Sequence, residues 1–308
     1  MREITVFHME PEYLLGDLNN LITLKKKIAT DSILLEKIKK DYNQNKKQYK
    51  NEYFTAKINH MSNKCLYYWL YIKRYFDQAI YTDSTTFPDY QKEEMKKNGW
   101  MFPQAFIHSR ITTSGGVKIS TEELYIRYFD KYFDNLFNIN IGEKDSRIHR
   151  YYQQAIFNYK NKCYYSCAVS LFPIIESYHQ FMNNFNENRF YKIKENLENL
   201  ENKIENVHQI YNIKISYYIN IVKQFNDLAK NHYFNISLDR TTEPNIINRN
   251  RIMHGLFTRE ISQKDCLQLF CVISNMIVIK NIIEANNKLN HVSEELKALK
   301  SLLNKQQS

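Results

Sequence analysis

The stretch at 266–285, "CLQLFCVISNMIVIKNIIEA", decides the fold because it is the most apolar part of the chain. Ser262 and Asp265 precede it at the spacing with which a serine and an acidic residue cap a helix N-terminus reciprocally. Its most apolar part, "LQLFCVISNMIVI" at 267–279, is interrupted by Ser274 and Asn275 and is too short to cross a bilayer. We therefore expect the buried core helix of a soluble protein.

From Val278 within this stretch to Leu303, apolar residues recur at alternating steps of four and three residues, which is the spacing of a coiled-coil seam. The seam consists of Val278, Ile282, Ala285, Leu289, Val292, Leu296, Leu299 and Leu303. Two structures satisfy this pattern equally well. One is a dimer seam, and the other is a long helix that lies across the chain's own N-terminal half.

The rest of the 308-residue chain also has a helical pattern, with only six glycines and five prolines to break it. The main exception is residues 106–120, "FIHSRITTSGGVKIS", where a Ser-Gly-Gly turn signal predicts a small hairpin. The segment at 142–146, "GEKDS", is the best candidate for a domain boundary. We predict an all-α protein with a helical N-terminal region, residues 1–143, and a C-terminal helical bundle, residues 144–308.

The chain carries a net charge of +10, which favours polyanionic partners such as nucleic acids. The aromatic and basic run at 67–76, "YYWLYIKRYF", could stack on single-stranded RNA, although such helices more often pack one face into a core. The sequence contains no G-x-x-x-x-G-K and no H-E-x-x-H. This absence argues against a nucleotide-driven motor and a zinc protease.

The five cysteines form no C-x-x-C pair, and they are Cys65, Cys163, Cys167, Cys266 and Cys271. Because no nearby histidine or cysteine completes a zinc site, we expect reduced thiols and neither metal nor cofactor. The first residues, "MREITVFHMEPEY", lack the apolar run of a signal peptide. These features predict a cytoplasmic protein without membrane association.

The segment at 249–255, "RNRIMHG", places two arginines and a histidine close together, just before the core helix. Histidine suits proton transfer near neutral pH, whereas arginine presents a permanently charged donor fork to phosphate oxygens. RNA cleavage without a metal needs both, because a 2′-OH must lose its proton while charge builds up at the phosphate. An arginine and a histidine at this spacing are weak evidence alone, but Asn250 and Gly255 make the match more specific.

This segment resembles the R-x(4–6)-H motif, often R-N-x-x-x-H, of the HEPN superfamily of ribonucleases. The resemblance covers residues 147–286, a helical bundle with the motif before its last long helix. It implies that Arg249 and His254 are catalytic and that Asn250 is the polar residue beside them. It also implies a homodimer with a composite active site, because the family usually works as a dimer or as paired domains.

Helix geometry limits which of these side chains act together. Asn250 and His254 share a face of a regular helix, whereas Arg249 lies about 140° from His254 around the axis. Arg251 is better placed on a straight helix, and we assign it a supporting role. In the other interpretation both arginines face solvent, while His254 caps the helix C-terminus and Gly255 is left-handed.

Glu176 is the supporting acidic candidate, because a carboxylate in the apolar run "LFPIIESYHQF" at 171–181 is costly without a partner. The stretch around it, "CAVSLFPIIESYHQFM", resembles the early family helix that often carries an acidic residue. Glu176 either holds Arg249 in position or pairs locally with a lysine. Pro173 should kink or restart this helix. His179, one turn later, is interpreted as an ordinary surface residue.

These patterns predict a metal-independent endoribonuclease that cleaves RNA by 2′-OH attack and leaves a 2′,3′-cyclic phosphate. The resemblance implies bacterial phage defence, through abortive infection or a toxin–antitoxin system, with an antitoxin or a phage-derived trigger as a further partner. The N-terminal region would then be a sensor or regulator. The alternatives are a non-catalytic HEPN-fold module that binds RNA or a partner, and a helical adaptor that assembles through the seam.

Overall fold

The structure is a computed structural model that describes residues 4–8, 12–85, 97–101, 109–113, 121–139, 141, 146–183, 221, 223–225, 227–235, 245–256 and 259–304. Its elements, in chain order, are β1 (Ile4–His8), α1 (Glu12–Gln44), α2 (Lys46–Thr85), β2 (Ser109–Thr113), α3 (Thr121–Lys131), α4 (Phe133–Phe137), α5 (Arg147–Lys160), α6 (Tyr164–Asn183), a π-helical turn (Ala229–Tyr233), α7 (Arg249–Met253) and α8 (Gln263–Asn304). The predicted all-α class is confirmed, with one small β-ribbon added to the helices.

Contacts divide the chain into two compact units. The first unit combines Met1–Met9 with Gln78–Lys280, and the second combines Glu10–Asp77 with Asn281–Ser308. These units differ from the predicted ranges 1–143 and 144–308. The sensor role proposed for the N-terminal region remains a prediction.

The first half of α8 is the centre of the first unit, because every residue at 266–277 is buried. Within it, the Phe270 ring contacts four aromatic rings, those of Phe133, Phe137, Tyr152 and Tyr159. By length and composition α8 could cross a membrane, but most of its apolar stretch is buried inside the fold. The predicted core helix is therefore present and buried within the first unit.

Residues 97–101 and 121–139 pack into this same core. Trp100 is fully buried, its ring stacks on Phe129 at 5.5 Å, and its Nε1 donates to the Glu122 carboxylate at 2.8 Å. Across the predicted boundary, the Tyr152 hydroxyl of α5 donates to the Phe137 carbonyl at the end of α4, at 2.7 Å. The "GEKDS" segment therefore does not separate two cores.

The β-ribbon pairs β1 with β2 in antiparallel register, from Ile4 opposite Thr113 to His8 opposite Ser109. A strand was predicted within 106–120, and it is present. Its partner in the described part of the chain is the distant N-terminal strand. The other half of the predicted hairpin, residues 114–120, lies outside the described residues.

In the second unit, α1 and α2 are joined by the C-terminal part of α8. Val292 and Leu299 of the predicted seam form a buried cluster with Met61 of α2, and Phe54, Ile58, Cys65, Tyr68 and Leu296 pack around it. Val292, Leu296 and Leu299 of the seam are thus covered by α2, in the chain's own N-terminal half. This agrees with the second of the two structures that the heptad pattern allowed.

Candidate active site

The motif forms a single helical turn, α7, with both ends fixed by hydrogen bonds. At its start, the Asn248 side chain accepts from the Arg251 amide at 2.9 Å. At its end, the Leu256 amide donates to the Arg251 carbonyl at 2.8 Å, and the Gly255 amide donates to Ile252 at 3.2 Å. This pair of bonds is a Schellman motif, which closes a helix that ends in a left-handed residue.

Gly255 supplies that left-handed residue, with φ of +65°. A Cβ placed there would meet nothing within 4 Å. Glycine is therefore required at this position by its backbone conformation and not by lack of space. His254 therefore stands at the last position of the turn, as the capping interpretation predicted, and its side chain is exposed. Capping uses only the backbone of His254 and leaves its imidazole available for chemistry.

Asn248 ties the motif turn to the rest of the first unit, and the sequence analysis missed it. Its side chain is fully buried, and its Nδ2 donates to the carbonyls of His232 and Asn235, the latter at 3.2 Å. These carbonyls belong to the π-helical turn and the residues that follow it. Such π-turns are rare and often mark functional sites.

The structure brings Arg249, Asn250 and Glu176 together. The Arg249 Nη2 lies 3.6 Å from the Glu176 Oε2, and its Nη1 donates to the Asn250 Oδ1 at 3.3 Å. The Asn250 Nδ2 in turn donates to the Phe234 carbonyl at 3.1 Å. Because the two side chains of the ion pair are 33% and 40% exposed, the pair adds little stability. Its effect is to orient the guanidinium at the surface.

Glu176 lies on α6, which continues through Pro173 without ending. A new helix start at Pro173 was one of two predicted outcomes, and the structure does not contain it. Glu176 is also more exposed than its apolar surroundings suggested, with 40% of its side chain accessible. Among the described residues its ion-pair partner is Arg249, and no lysine takes that place.

Arg251 and His254 occupy opposite environments. Arg251 is 7% exposed, so it packs into the first unit, contrary to both predicted arrangements, in which it reached a phosphate or faced solvent. His254 is exposed. In the described part of the chain, no hydrogen bond or ion pair joins its imidazole to Arg249 or Glu176. Within one chain, Arg249 is therefore positioned by its neighbours while His254 is not.

His179 is a second histidine near this site, and it is not the surface residue that we predicted. Its ring packs against Phe234 at 5.3 Å and Phe225 at 6.2 Å, one turn after Glu176 on α6. Burial lowers the pKa of His179, and the Glu176 carboxylate partly opposes that shift. The imidazole is consequently neutral at pH 7. In the sequence, the three-residue spacing between Glu176 and His179 indicates that the two side chains are neighbours on one helix face.

None of the cysteines contributes a contact to the site among the described residues. All five are free thiols, and three of them, Cys167, Cys266 and Cys271, are buried. Among the residues that the structure describes, no group of three or more histidine, cysteine, aspartate or glutamate side chains is close enough to hold a metal ion.

Replacing Asn248 by aspartate should destabilise the protein by about 3 kcal/mol, because a carboxylate would then face two backbone carbonyl oxygens in a buried position. Urea unfolding measures this loss. The matched control is Asn161→Asp, where an exposed amide donates to the Phe157 carbonyl at 2.8 Å. We expect the control to lose under about 1 kcal/mol. Equal losses in the two variants would contradict the anchoring role of Asn248.

Stability should fall in mild acid because of His179. Its folded pKa is lowered, so the unfolded chain binds more protons once the pH drops below the unfolded value of about 6.5. The free energy of unfolding, measured in urea between pH 7.5 and pH 5, should therefore decrease. His179→Gln should reduce the slope by at most about 1.4 kcal/mol per pH unit. The rest of the pH dependence should remain in the variant, because burial also lowers the pKa values of His232 and His60. An unchanged slope in the variant would contradict this assignment.

Comparison with known proteins does not assign the chain to a family. No protein-family model matches the chain, and neither a curated protein nor a solved structure matches it. The HEPN resemblance therefore remains an expectation that depends on the motif and its place before the last long helix.

Proposed function

We propose that the chain is a metal-independent endoribonuclease of the HEPN type. The observation that carries this proposal is the arrangement on α7, where Glu176 and Asn250 orient a partly exposed Arg249 guanidinium and the same turn ends in an exposed His254. A phosphate binder and a proton-transfer group thus stand on one fixed turn at the surface. The net charge of +10 favours association with a polyanion.

In the proposed reaction, an imidazole removes the proton from a ribose 2′-OH, and the 2′-oxygen forms a bond to the adjacent phosphorus. The bond from phosphorus to the 5′-oxygen breaks, and a protonated imidazole supplies the proton that this oxygen needs. Arg249 stabilises the negative charge that builds up on the phosphoryl oxygens. The products are a 2′,3′-cyclic phosphate and a 5′-hydroxyl. DNA lacks the attacking hydroxyl and should resist.

One imidazole cannot easily act as base and acid in a single turnover, so the proposal includes a homodimer that brings two motif turns together. In each copy, His254 would contact the Arg249-bound phosphate of the composite site. Because the seam of α8 is covered within the chain, we place the dimer contact in the first unit, near α7. Arg251, buried beneath the turn, would support the backbone of the site and not the phosphate.

The biological role proposed with this activity is bacterial phage defence in the cytoplasm, through abortive infection or a toxin–antitoxin pair. RNA cleavage would then stop growth, and an antitoxin or a phage-derived trigger would control it. These roles depend on the HEPN resemblance and on the nuclease activity.

A second candidate is a non-catalytic module that binds RNA. The separation of the two groups within one chain favours it, because in the described part of the chain no hydrogen bond or ion pair joins the His254 imidazole to Arg249. Cleavage separates the two candidates, since a binding module retains RNA and releases no fragments.

Purified protein should cleave labelled RNA in the presence of EDTA. Arg249→Ala and His254→Ala should each lower the rate by about 100-fold or more, since one removes charge stabilisation and the other removes proton transfer. Glu176→Gln should have a smaller effect, of about tenfold or less, because it only orients Arg249. Gel analysis of fragments over time measures these rates.

The matched controls are Arg150→Ala and His291→Ala, which remove an exposed arginine from α5 and an exposed histidine from α8. Both should cleave at the wild-type rate. Circular dichroism confirms that every variant keeps its helices. Full activity in His254→Ala, or loss of activity in the controls, would contradict the assignment. RNA binding without cleavage by the wild-type protein would favour the binding module.

A further inference from the structure

A groove in the second unit shares no residue with the motif and has a distinct chemistry. It encloses a cavity of about 400 Å³ between α1, α2 and the C-terminal part of α8. Its lining includes Tyr67, Tyr68 and Tyr71 together with Lys25, Lys64 and Lys288. All of these residues belong to the same compact unit. Pockets that enclose small ligands have volumes of about 300–1,000 Å³, so the cavity is large enough for one.

The tyrosines form one wall of the groove. Tyr67 and Tyr71 stand one turn apart on α2, and their rings are nearly parallel, with centroids 6.2 Å apart and an interplanar angle of 28°. The Tyr68 ring meets Tyr67 edge-on at 5.5 Å. All three side chains are half-buried, so the rings are held in place while part of each surface remains accessible. An aromatic wall of this kind offers stacking surfaces for a planar heterocycle.

The charged groups form the other part of the lining. Lys25 of α1, Lys64 of α2 and Lys288 of α8 supply three ammonium groups, and Glu284 is the one carboxylate among the described residues of the lining. The groove therefore has a net excess of two positive charges. Three lysines that approach from three different helices can converge on one anionic group, and lysine is a common phosphate ligand.

We infer that this groove binds a phosphorylated aromatic ligand, with the base of a nucleotide against the tyrosines and its phosphate among the lysines. The ligand is either a free nucleotide or one nucleotide of an RNA strand, because both present the same base and phosphate. The tyrosine wall favours the base over an aliphatic anion, and the excess positive charge favours the phosphate over a neutral base. This inference does not depend on the proposed nuclease activity.

Isothermal titration calorimetry on the full chain tests the inference with four probes: adenosine 5′-monophosphate, adenosine, inorganic phosphate and a ten-nucleotide oligoadenylate. We expect the nucleotide to bind more tightly than adenosine or phosphate alone, and the affinity should fall with added salt. Stronger binding of the oligonucleotide than of the mononucleotide identifies an RNA strand as the ligand. Binding of the mononucleotide alone identifies a free nucleotide. No binding of either would overturn the inference.

The variant Lys64→Gln/Lys288→Gln should weaken binding by about tenfold or more, because it removes two of the three ammonium groups. Lys297→Gln is the matched control, since this exposed lysine is also on α8 but does not line the groove. Tyr71→Phe keeps the ring and should retain binding. Unchanged affinity in the double variant, or an equal loss in Lys297→Gln, would overturn the inference.

A photo-crosslink on the wild-type protein keeps the test valid if the double variant does not fold. Irradiation with 8-azidoadenosine 5′-monophosphate should label a peptide that contains Tyr67, Tyr68 or Tyr71, as read by mass spectrometry. Excess adenosine 5′-monophosphate should suppress the label. Labelling confined to other peptides, the motif at 249–255 included, would overturn the inference.

Discussion

The buried carboxylate of Asp265 fixes both the core helix and the segment that leads into the motif. It accepts two bonds from the Arg259 guanidinium at 2.7 Å and two from Ser262, one from the amide and one from the hydroxyl, both at 2.8 Å. Arg259 also donates to the Asn245 carbonyl at 3.3 Å. With its side chain only 1% exposed, the carboxylate requires all of these partners, because a buried charge without them is strongly destabilising. The ion pair of Asp265 and Arg259 thus holds both the start of α8 and the start of the motif segment.

These hydrogen bonds explain how a helix of five residues can hold the candidate site residues in place. An isolated turn of that length is not stable in water. Here α7 is anchored before its start by Asn245, at its cap by Asn248 and at its end by the left-handed Gly255. The turn therefore presents Arg249 and His254 from a fixed backbone. A site built on a fixed backbone needs less reorganisation when it binds a charged transition state, which is the condition for efficient charge stabilisation.

Local patterns predicted the parts of this structure that depend on near neighbours. The capping pair Ser262 and Asp265, the burial of the following helix and the left-handed Gly255 each follow from a few adjacent residues. The pairing of β1 with β2 and the burial of Arg251 did not follow, because both depend on contacts between distant segments. The seam illustrates the same limit. Its spacing defined an apolar stripe on α8, but the residues of α2 that pack against Val292 and Leu299 could not be read from that spacing.

The most direct measurement of the central claim is the chemistry of the RNA ends. Wild-type protein is incubated in EDTA with an RNA of known sequence, and with the same RNA carrying a single 2′-deoxynucleotide immediately 5′ of the mapped cleavage site. The proposed mechanism predicts fragments with 2′,3′-cyclic phosphate and 5′-hydroxyl ends, and no cleavage at the deoxy position. Fragments with 3′-hydroxyl and 5′-phosphate ends, or undiminished cleavage at the deoxy position, would contradict it.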